Sequence, residues 1–309
     1  MNLDITFLGT SAGKPTMDRT VSGLLINRGG ERILVDPGEG TQHQMITHET
    51  GLGVKTVLLT HIHADHSLGL AGLFHTWDFN GRNQPLTVVL PEESRSYINQ
   101  LQSVVGGALS FDIRVIGSSP GETPIDFDDF QIKTTEADHR GPAVGYEIVE
   151  DDRIGRFNQS RAQALGVPPG PKFGRLQRGE SVEAKNGTVV NPEQVLGPPR
   201  RGRRILYTGD TRPVLDPTGA ITPIDVLIHE ATFTSAHATR AHRTCHSTAT
   251  EAGRVAYALN ASQLVLTHLS PRYDDHVGHL EEARVAFDGK TTVASDGTTL
   301  SVPFPDSSK

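Results

Sequence analysis

The chain has a single cysteine, Cys245, and a single tryptophan, and no apolar run approaches the roughly 20 residues that a transmembrane helix needs. One cysteine excludes an intrachain disulfide, so stability must come from packing and from any bound metal. The segment from Met1 to Gly13 has an aspartate and no basic cluster, unlike a secretory signal peptide. These absences predict a cytoplasmic protein with no membrane partner.

Negative charge prevails overall, but it is unevenly distributed along the chain. The 309 residues include 36 Asp and Glu against 29 Lys and Arg, whereas segment 153–204 has eleven basic residues and three acidic ones. Proline and glycine punctuate this segment, and its apolar residues show no sustained period, so we expect it to lack a core of its own. We therefore interpret 153–202 as an arm inserted into one discontinuous domain, formed by 1–152 and 203–309.

Two local structures are predicted within the arm. Asn158 to Leu165 has the pattern of a short helix that ends at Gly166. Asn186-Gly187, between two β-branched segments, favours a type I′ hairpin.

The remainder alternates short strand-like runs with helical stretches, which indicates an α/β fold with helices covering sheets. The run from Lys55 to Thr60 is apolar enough to be a strand buried on both faces. It is followed at once by His61-Ile62-His63-Ala64-Asp65-His66. Four metal-competent side chains within six residues suit zinc, and their spacing lets one tight loop serve two ions. A polar turn that happens to be rich in histidine is the alternative.

The histidine motif resembles that of the metallo-β-lactamase superfamily, and further matching residues follow in the expected order. The resemblance implies an αββα sandwich with two zinc ions per subunit. It assigns His61, His63 and His139 to the first ion, Asp65, His66 and His268 to the second, and a bridging role to Asp210. Asp36 would support the metal loop. The redox branch of the superfamily usually has an acidic residue at the position of His63, so a hydrolase is favoured.

Several runs resemble one hydrolytic family, ribonuclease Z, in its short form. They begin at Phe7, Gly38, Gly170, Gly209 and His229, with sequences FLGTSAG, GEGTQ, GPKFGRL, GDTRP and HEATF. The family resemblance implies a zinc-dependent endoribonuclease that removes the 3′ trailer from precursor tRNA, leaving a 3′ hydroxyl on the tRNA and a 5′ phosphate on the trailer. It also implies a homodimer in which the arm of one subunit holds tRNA for the other.

The resemblance also implies roles in catalysis. Asp65 would accept the proton of the attacking water as well as bind metal, and His246, aided by Glu230, would protonate the leaving group. Thr248 and Glu251 form a capping-box pattern, which places His246 just before a helix. A histidine that merely caps or packs is the alternative. Cys245 is expected to be a small buried apolar residue, since this chemistry needs no thiol.

Beside such a centre, the basic arm is better explained as a clamp for RNA phosphates than as an idle surface. Its candidate RNA-binding residues are Arg156, Arg161, Lys172, Arg175, Arg178, Arg200 and Arg201. Two rival functions stay open at this point. One is a small-molecule phosphodiesterase or arylsulfatase on the same fold, and the other is a non-catalytic RNA-processing subunit.

Overall fold

Two β-sheets form the centre of the larger part of the molecule. The structure is a computed structural model that describes residues 1–219 and 223–305. Within these residues each sheet has seven strands, and a separate two-stranded hairpin lies in the inserted segment. The first sheet contains β1 (Leu3–Gly9), β2 (Gly23–Arg28), β3 (Glu31–Val35), β4 (Thr56–Leu58), β5 (Leu86–Pro91), β6 (Ile113–Ser118) and the final strand, β16 (Thr299–Ser301).

The second sheet and the hairpin follow in the chain. The second sheet contains β7 (Ile125–Asp126), β8 (Phe130–Glu136), β9 (Val144–Glu150), β12 (Arg204–Tyr207), β13 (Val226–Glu230), β14 (Gln263–Thr267) and β15 (Lys290–Val293), and the hairpin pairs β10 (Val182–Glu183) with β11 (Val189–Val190). The sheet orders are β16-β1-β2-β3-β4-β5-β6 and β15-β14-β13-β12-β9-β8-β7. Strands β3 to β6 run parallel, as do β12 to β15.

The helices connect these strands. They are α1 (Thr41–Thr47), α2 (Ala64–Ser67), α3 (Gly69–Phe79), α4 (Tyr97–Val104), α5 (Gln159–Ala164), α6 (Pro171–Gln177), α7 (Ala238–Thr244), α8 (Ala249–Ala258) and α9 (Val277–Ala286). Short 3₁₀ turns occur at Glu92–Ser94, Pro192–Gln194 and Ser235–His237. Within residues 1–219 and 223–305, no helix combines the length and apolar character that crossing a bilayer requires.

Alternating side chains of the strands build a layered core. In β2, Leu24 and Ile26 join the cluster between the two sheets, whereas Leu25 packs into the layer that includes α1, α3 and α4. The second sheet likewise packs its outer face against α8 and α9, through residues such as Val255 and Ala283. Each fully buried aliphatic side chain contributes about 1.5–3 kcal/mol. The result is an αββα sandwich, which confirms the fold class predicted from the sequence.

The chain divides into two units. Among the described residues, the first comprises 1–149 with 203–219 and 223–303, and the second comprises 150–202 with 304 and 305. The second unit therefore includes residues 304 and 305, whereas the sequence assigned all of 203–309 to the catalytic domain; the Arg153 guanidinium lies 3.7 Å from the centre of the Phe304 ring. Of the segment 203–309, residues 220–222 and 306–309 lie outside the described residues.

The expectation that the inserted segment lacks a core is wrong. Side chains from its helices, hairpin and connections bury one another in a small cluster, formed by Ala162, Val167, Leu176, Val182, Ala184, Val190 and Val195. These residues come from separate short elements, so the cluster leaves no periodic pattern in the sequence. The predicted short helix is confirmed as α5, which is capped by the Asn158 side chain accepting from the Arg161 amide at 2.9 Å.

The hairpin of the inserted unit has a longer loop than predicted. Ala184 and Thr188 are hydrogen-bonded across it, so three residues form the loop. Only Gly187 of these three has a positive φ, at +79°, whereas a type I′ turn needs positive φ at two central residues. The type I′ prediction is therefore wrong.

Part of the predicted basic charge does not belong to the inserted unit. Arg203 and Arg204 lie in the first unit, where Arg203 is 1% exposed and donates to the Val302 carbonyl at 2.9 Å. Arg204 pairs with Glu147 at 2.6 Å. Over 150–202 there are nine basic and six acidic residues, so the excess of positive charge is smaller than the sequence segment suggested.

Candidate metal centre

The histidine motif follows β4 directly, and its first ring is held in a fixed orientation. Thr60 donates its amide and its hydroxyl to the carboxylate of Asp36, both at 2.7 Å. Since that hydroxyl proton is used, the Thr60 oxygen accepts from His61 Nδ1, 3.0 Å away. His61 therefore presents Nε2 to the cluster. Burial, followed by the charge of His66, holds the pKa of His61 well below its usual value, which keeps the ring in the neutral form that binds metal.

Asp36, at the end of β3, supports this loop as the sequence suggested. Its Oδ2 atom accepts from His66 Nδ1 at 2.9 Å and from the Tyr207 hydroxyl at 3.0 Å, in addition to Thr60. His66 thus turns Nε2 toward the cluster. Burial lowers the pKa of His66, but the carboxylates of Asp210 and Asp36 outweigh it and hold that pKa well above its usual value. Metal binding at Nε2 must therefore release a proton.

His63 and His139 meet at the outer side of the same cluster. His63 Nδ1 lies 3.4 Å from His139 Nε2. The other nitrogen of His139, Nδ1, donates to the Cys245 carbonyl at 2.9 Å. Cys245 is half-buried and adopts a left-handed conformation with φ +58°. The expectation that Cys245 is buried is therefore wrong, and its contribution to the site is its backbone carbonyl.

Asp65 begins a second cluster with His66 and His268. Asp65 Oδ2 lies 3.3 Å from His268 Nε2 and 3.8 Å from His66 Nε2, and it accepts from the Gly13 amide at 2.8 Å. Burial raises the pKa of Asp65, but the hydrogen bond to His268 and the charge of His66 outweigh it and lower that pKa. The carboxylate is therefore ionised at neutral pH.

Asp210 lies between the two clusters and is 3% exposed. Its Oδ2 atom is 3.8 Å from His61 Nε2 and 3.3 Å from His66 Nε2, and its Oδ1 atom is 3.3 Å from His268 Nδ1. Among the described residues, neither Asp210 Oδ1 nor His61 Nε2 has a hydrogen-bond partner, although both are buried. Unsatisfied acceptors that converge in a buried site fit a cation.

Within the part of the chain that the structure describes, four sets of side chains bring ligand atoms within 4.8 Å of one another and could hold metal. They are His61-His63-His139, His61-His66-Asp210, Asp65-His66-His268 and Asp210-His246-His268. The first three sets contain all seven residues that the sequence singled out as ligands. The fourth adds His246, which the sequence analysis predicted to be a proton donor. The geometry is therefore also compatible with His246 as a metal ligand.

His246 and Glu230 are in direct contact, as the sequence suggested. Glu230 Oε1 is 2.9 Å from His246 Nδ1. Burial lowers the pKa of His246, but the Glu230 carboxylate outweighs it and raises that pKa to about 9. The predicted capping box is confirmed, because Thr248 and Glu251 cap α8 reciprocally. The His246 carbonyl accepts from Arg212, whose guanidinium also binds Glu251.

Sequence reasoning missed several residues that support these side chains. Thr60 precedes His61 and Thr232 lies in the HEATF run, so both were adjacent to recognised motifs. Tyr207 and the Gly13 amide reach the centre from distant parts of the chain, and nothing local marks them. The candidate RNA-binding residues all lie in the inserted unit, where Arg175 and Arg178 both pair with Glu180.

The αββα fold and the shared histidine and aspartate clusters define a protein of the metallo-β-lactamase class with a site that can hold metal. Family models agree, since residues 17–155 match the metallo-beta-lactamase superfamily and residues 182–269 match a beta-lactamase superfamily domain.

Similarity to known proteins identifies the family within this class. The chain is 47% identical to a ribonuclease Z of Halobacterium salinarum over 99% of both chains. It is 43% identical to one of Myxococcus xanthus, over 98% of this chain and 99% of that protein. The crystal structure of human tRNase Z, short form, matches with a TM-score of 0.70 and 26% identity, covering 97% of this chain and all of that one. The chain belongs to the ribonuclease Z family of hydrolytic endoribonucleases.

Proposed function

We propose that this protein removes the 3′ trailer from precursor tRNA in the cytoplasm as a zinc-dependent endoribonuclease. The products would be a tRNA with a 3′ hydroxyl and a trailer with a 5′ phosphate. The observation that carries the proposal is the convergence of seven His and Asp side chains, from strand ends far apart in sequence, on one cluster in which four of the seven are buried. Full-length identity of 41–47% to ribonuclease Z proteins supports the substrate. A complete cluster argues against a non-catalytic subunit.

Two zinc ions would be held by these side chains. His61, His63 and His139 would bind the first ion, Asp65, His66 and His268 the second, and Asp210 both. Imidazole and carboxylate ligands suit zinc, and His61 and His66 already present Nε2 through their Nδ1 contacts. When bound, such ions activate water at neutral pH and neutralise charge on the phosphate.

Asp65 would accept a proton from the attacking water. Its Oδ2 atom is already engaged by the Gly13 amide and faces His268 Nε2, so Oδ1 is the oxygen assigned to the proton. The lowered pKa of Asp65 means only that its carboxylate carries no proton at neutral pH, so that an oxygen is available to accept one.

His246 would give a proton to the departing 3′ oxygen of the tRNA. With Nδ1 held by Glu230, its Nε2–H is the donor, and a pKa of about 9 keeps the ring protonated at neutral pH. The rival ligand role for His246 is separable. Replacing His246 with asparagine should leave the zinc content unchanged and lower the cleavage rate, whereas a ligand role predicts loss of zinc.

The inserted unit would bind the tRNA body through its phosphates. Arg156 and Arg161 are exposed in this unit, and Arg175 and Arg178 lie together on and beside α6. Lys172, Arg200 and Arg201 complete the proposed set. Such contacts position a substrate rather than select its sequence, so recognition would follow the shape of folded tRNA.

The central experiment uses an end-labelled precursor tRNA with a 3′ trailer. Zinc-loaded protein should give one cut at the tRNA boundary, and chelator-stripped protein should give none until zinc is restored. An Asp210→Asn variant serves as the matched control, because it keeps the shape of the bridging side chain. No cut by protein of measured zinc content would refute the proposed substrate.

The role of the inserted unit is tested by removing residues 156–200. Because the small core lies entirely within this segment, the deletion removes all of that core. Cleavage of precursor tRNA should fall sharply, while hydrolysis of bis(p-nitrophenyl) phosphate should persist. Equal loss on both substrates would show that the segment supports the fold of the catalytic unit.

We also propose a homodimer in which the arm of one subunit serves the centre of the other. Mixing the 156–200 deletion with Asp65→Ala should then restore cleavage, because a mixed dimer combines an intact arm with an intact centre. Formation of mixed dimers would be verified by light scattering. If the mixture stays inactive after subunit exchange, the arm of one subunit does not bind tRNA for the centre of the other.

A further inference from the structure

The hydroxyl of Thr232 lies between the two histidines that the proposed mechanism gives different tasks. Its Oγ1 atom is 2.6 Å from Glu230 Oε2 and 2.9 Å from His268 Nδ1. A longer contact, of 3.4 Å, reaches His246 Nδ1, which is closer to Glu230 Oε1 at 2.9 Å. Thr232 is 4% exposed, so water does not compete for these contacts.

Counting donors fixes the direction of each hydrogen bond. The carboxylate of Glu230 accepts from the backbone amides of Thr211 and Thr232, each at 3.1 Å. It also accepts from His246 at Oε1, and the 2.6 Å contact at Oε2 is filled by the single proton of the Thr232 hydroxyl. The Thr232 oxygen can then only accept from His268, so Nδ1 of His268 must carry the proton.

The tautomer of His268 follows from this arrangement. With its proton on Nδ1, a neutral His268 ring turns a bare Nε2 toward Asp65 Oδ2, 3.3 Å away. In a ring that also carries a proton on Nε2, that nitrogen donates to Asp65, and a metal ion bound at Nε2 would take the place of this proton. Asp210 Oδ1, at 3.3 Å from Nδ1, is a more distant alternative to the Thr232 oxygen.

We propose that Thr232 is a positioning residue that extends the orienting effect of Glu230 to His268. One buried carboxylate then orders both the proton donor His246, directly, and the metal ligand His268, through a threonine hydroxyl. The inference rests on the proposed function for the tasks of the two histidines. The hydrogen-bond pattern itself can be tested without RNA.

The first test measures zinc affinity by competition with a chelator. Thr232→Val keeps the shape and removes the hydroxyl, and it should weaken zinc binding by about 10- to 100-fold, as loss of a ligand's hydrogen-bond partner does. Thr232→Ser should restore most of the affinity. Thr234→Val is the matched control, because Thr234 contacts the Tyr273 hydroxyl and not Glu230 or His268. Wild-type affinity in a folded Thr232→Val protein would overturn the inference.

Coupling to Glu230 separates a relay from a merely structural role. In a double-mutant cycle on zinc affinity, the fold-losses caused by Glu230→Gln and by Thr232→Val should not multiply in the double variant, because both substitutions break the same chain of hydrogen bonds. Independent, multiplicative effects would overturn the relay.

A third measurement needs no variant and therefore does not depend on folding of the substituted protein. The ring ¹⁵N shifts of His268 in the metal-free wild-type protein should show a proton on Nδ1, and a bare Nδ1 would overturn the inference. Failure of the proposed function would appear separately, as zinc-loaded wild-type protein that does not cut precursor tRNA.

Discussion

Replacing Glu230 with glutamine should shift the pH dependence of cleavage, because Glu230 is the main reason why His246 holds its proton. Burial lowers the pKa of His246, and the Glu230 carboxylate, 2.9 Å away, raises it to about 9 against this effect. Glutamine keeps the shape and removes the charge. We expect the pKa of His246 to return to about 6.5 or below, which is about 3 kcal/mol less stabilisation of the protonated ring.

The assay is the cleavage rate at saturating precursor tRNA and zinc, measured from pH 6 to pH 9. At pH 8, a group with a pKa of 9 is about 90% protonated, whereas one with a pKa of 6.5 is about 3% protonated. With a variant pKa of 6.5, the rate should fall about 30-fold at pH 8 from this cause and less than about twofold at pH 6, and a lower variant pKa would enlarge the loss at both values. The descending limb of the pH profile should move to lower pH.

The control for this experiment is Glu147→Gln. Glu147 is another buried carboxylate, 1% exposed, and its partner is Arg204 on the neighbouring strand rather than a histidine of the cluster. This change should lower stability and leave the shape of the pH profile unaltered. If Glu230→Gln lowered the rate equally at every pH, with zinc content intact, His246 would not be the proton donor that the profile reports.

Three further predictions concern other parts of the chain. Burial, followed by the charges of His276 and Arg19, lowers the pKa of His279 to about 4, so the folded protein loses stability as the pH falls from about 6.5 through 4. His279→Leu should reduce the difference in the free energy of unfolding between pH 7 and pH 5, measured with urea. An unchanged difference would contradict this prediction. Asp65→Ala should abolish turnover more completely than it removes zinc, as elemental analysis can show, whereas proportional losses would leave Asp65 a ligand only. Leu176→Ala should destabilise the inserted unit by about 2–5 kcal/mol and raise its susceptibility to protease. Cleavage of precursor tRNA should weaken, and hydrolysis of a small diester should be unchanged. Loss of both activities would contradict an effect that is confined to the inserted unit.

The layers of the fold could be predicted because strand patterns are local. The apolar run around Val57 and Leu58 indicated burial on both faces, and the two side chains do pack into different layers. Functional side chains that directly follow such a strand lie at the edge of the sheet where other strands also end. For this reason the histidine motif indicated a site before any contact was known.

The core of the inserted unit could not be predicted in the same way. Leu176 lies in a helix, Val182 and Val190 in a hairpin, and Val195 in a connection, so no single window shows a period. Burial here depends on how short elements fold back on one another. The loop of the hairpin shows the same limit, since Asn186-Gly187 is compatible with two loop lengths and the flanking pairs decide between them.

The supporting contacts of the metal centre were even less accessible, because they join distant positions. Tyr207 reaches Asp36 across 171 positions and Thr232 reaches His268 across 36. Such partners are set by sheet order and register, which local patterns do not specify. The residues that carry the chemistry could thus be named from the sequence, whereas those that orient them could not.

Backbone conformation gives the sharpest case of tertiary structure overriding local preference. Asp36, Cys245 and His268 all have positive φ, between +47° and +58°, a region that costs a residue such as cysteine about 1–2 kcal/mol and costs aspartate and histidine less. Glycine would relieve the strain at all three, yet Asp36 and His268 are needed for their side chains. At Cys245 the left-handed backbone directs the carbonyl that holds His139, and glycine would serve that purpose equally well. Positive φ retained at Asp36 and His268, whose side chains the centre needs, indicates that the geometry of the cluster outweighs local backbone preference there.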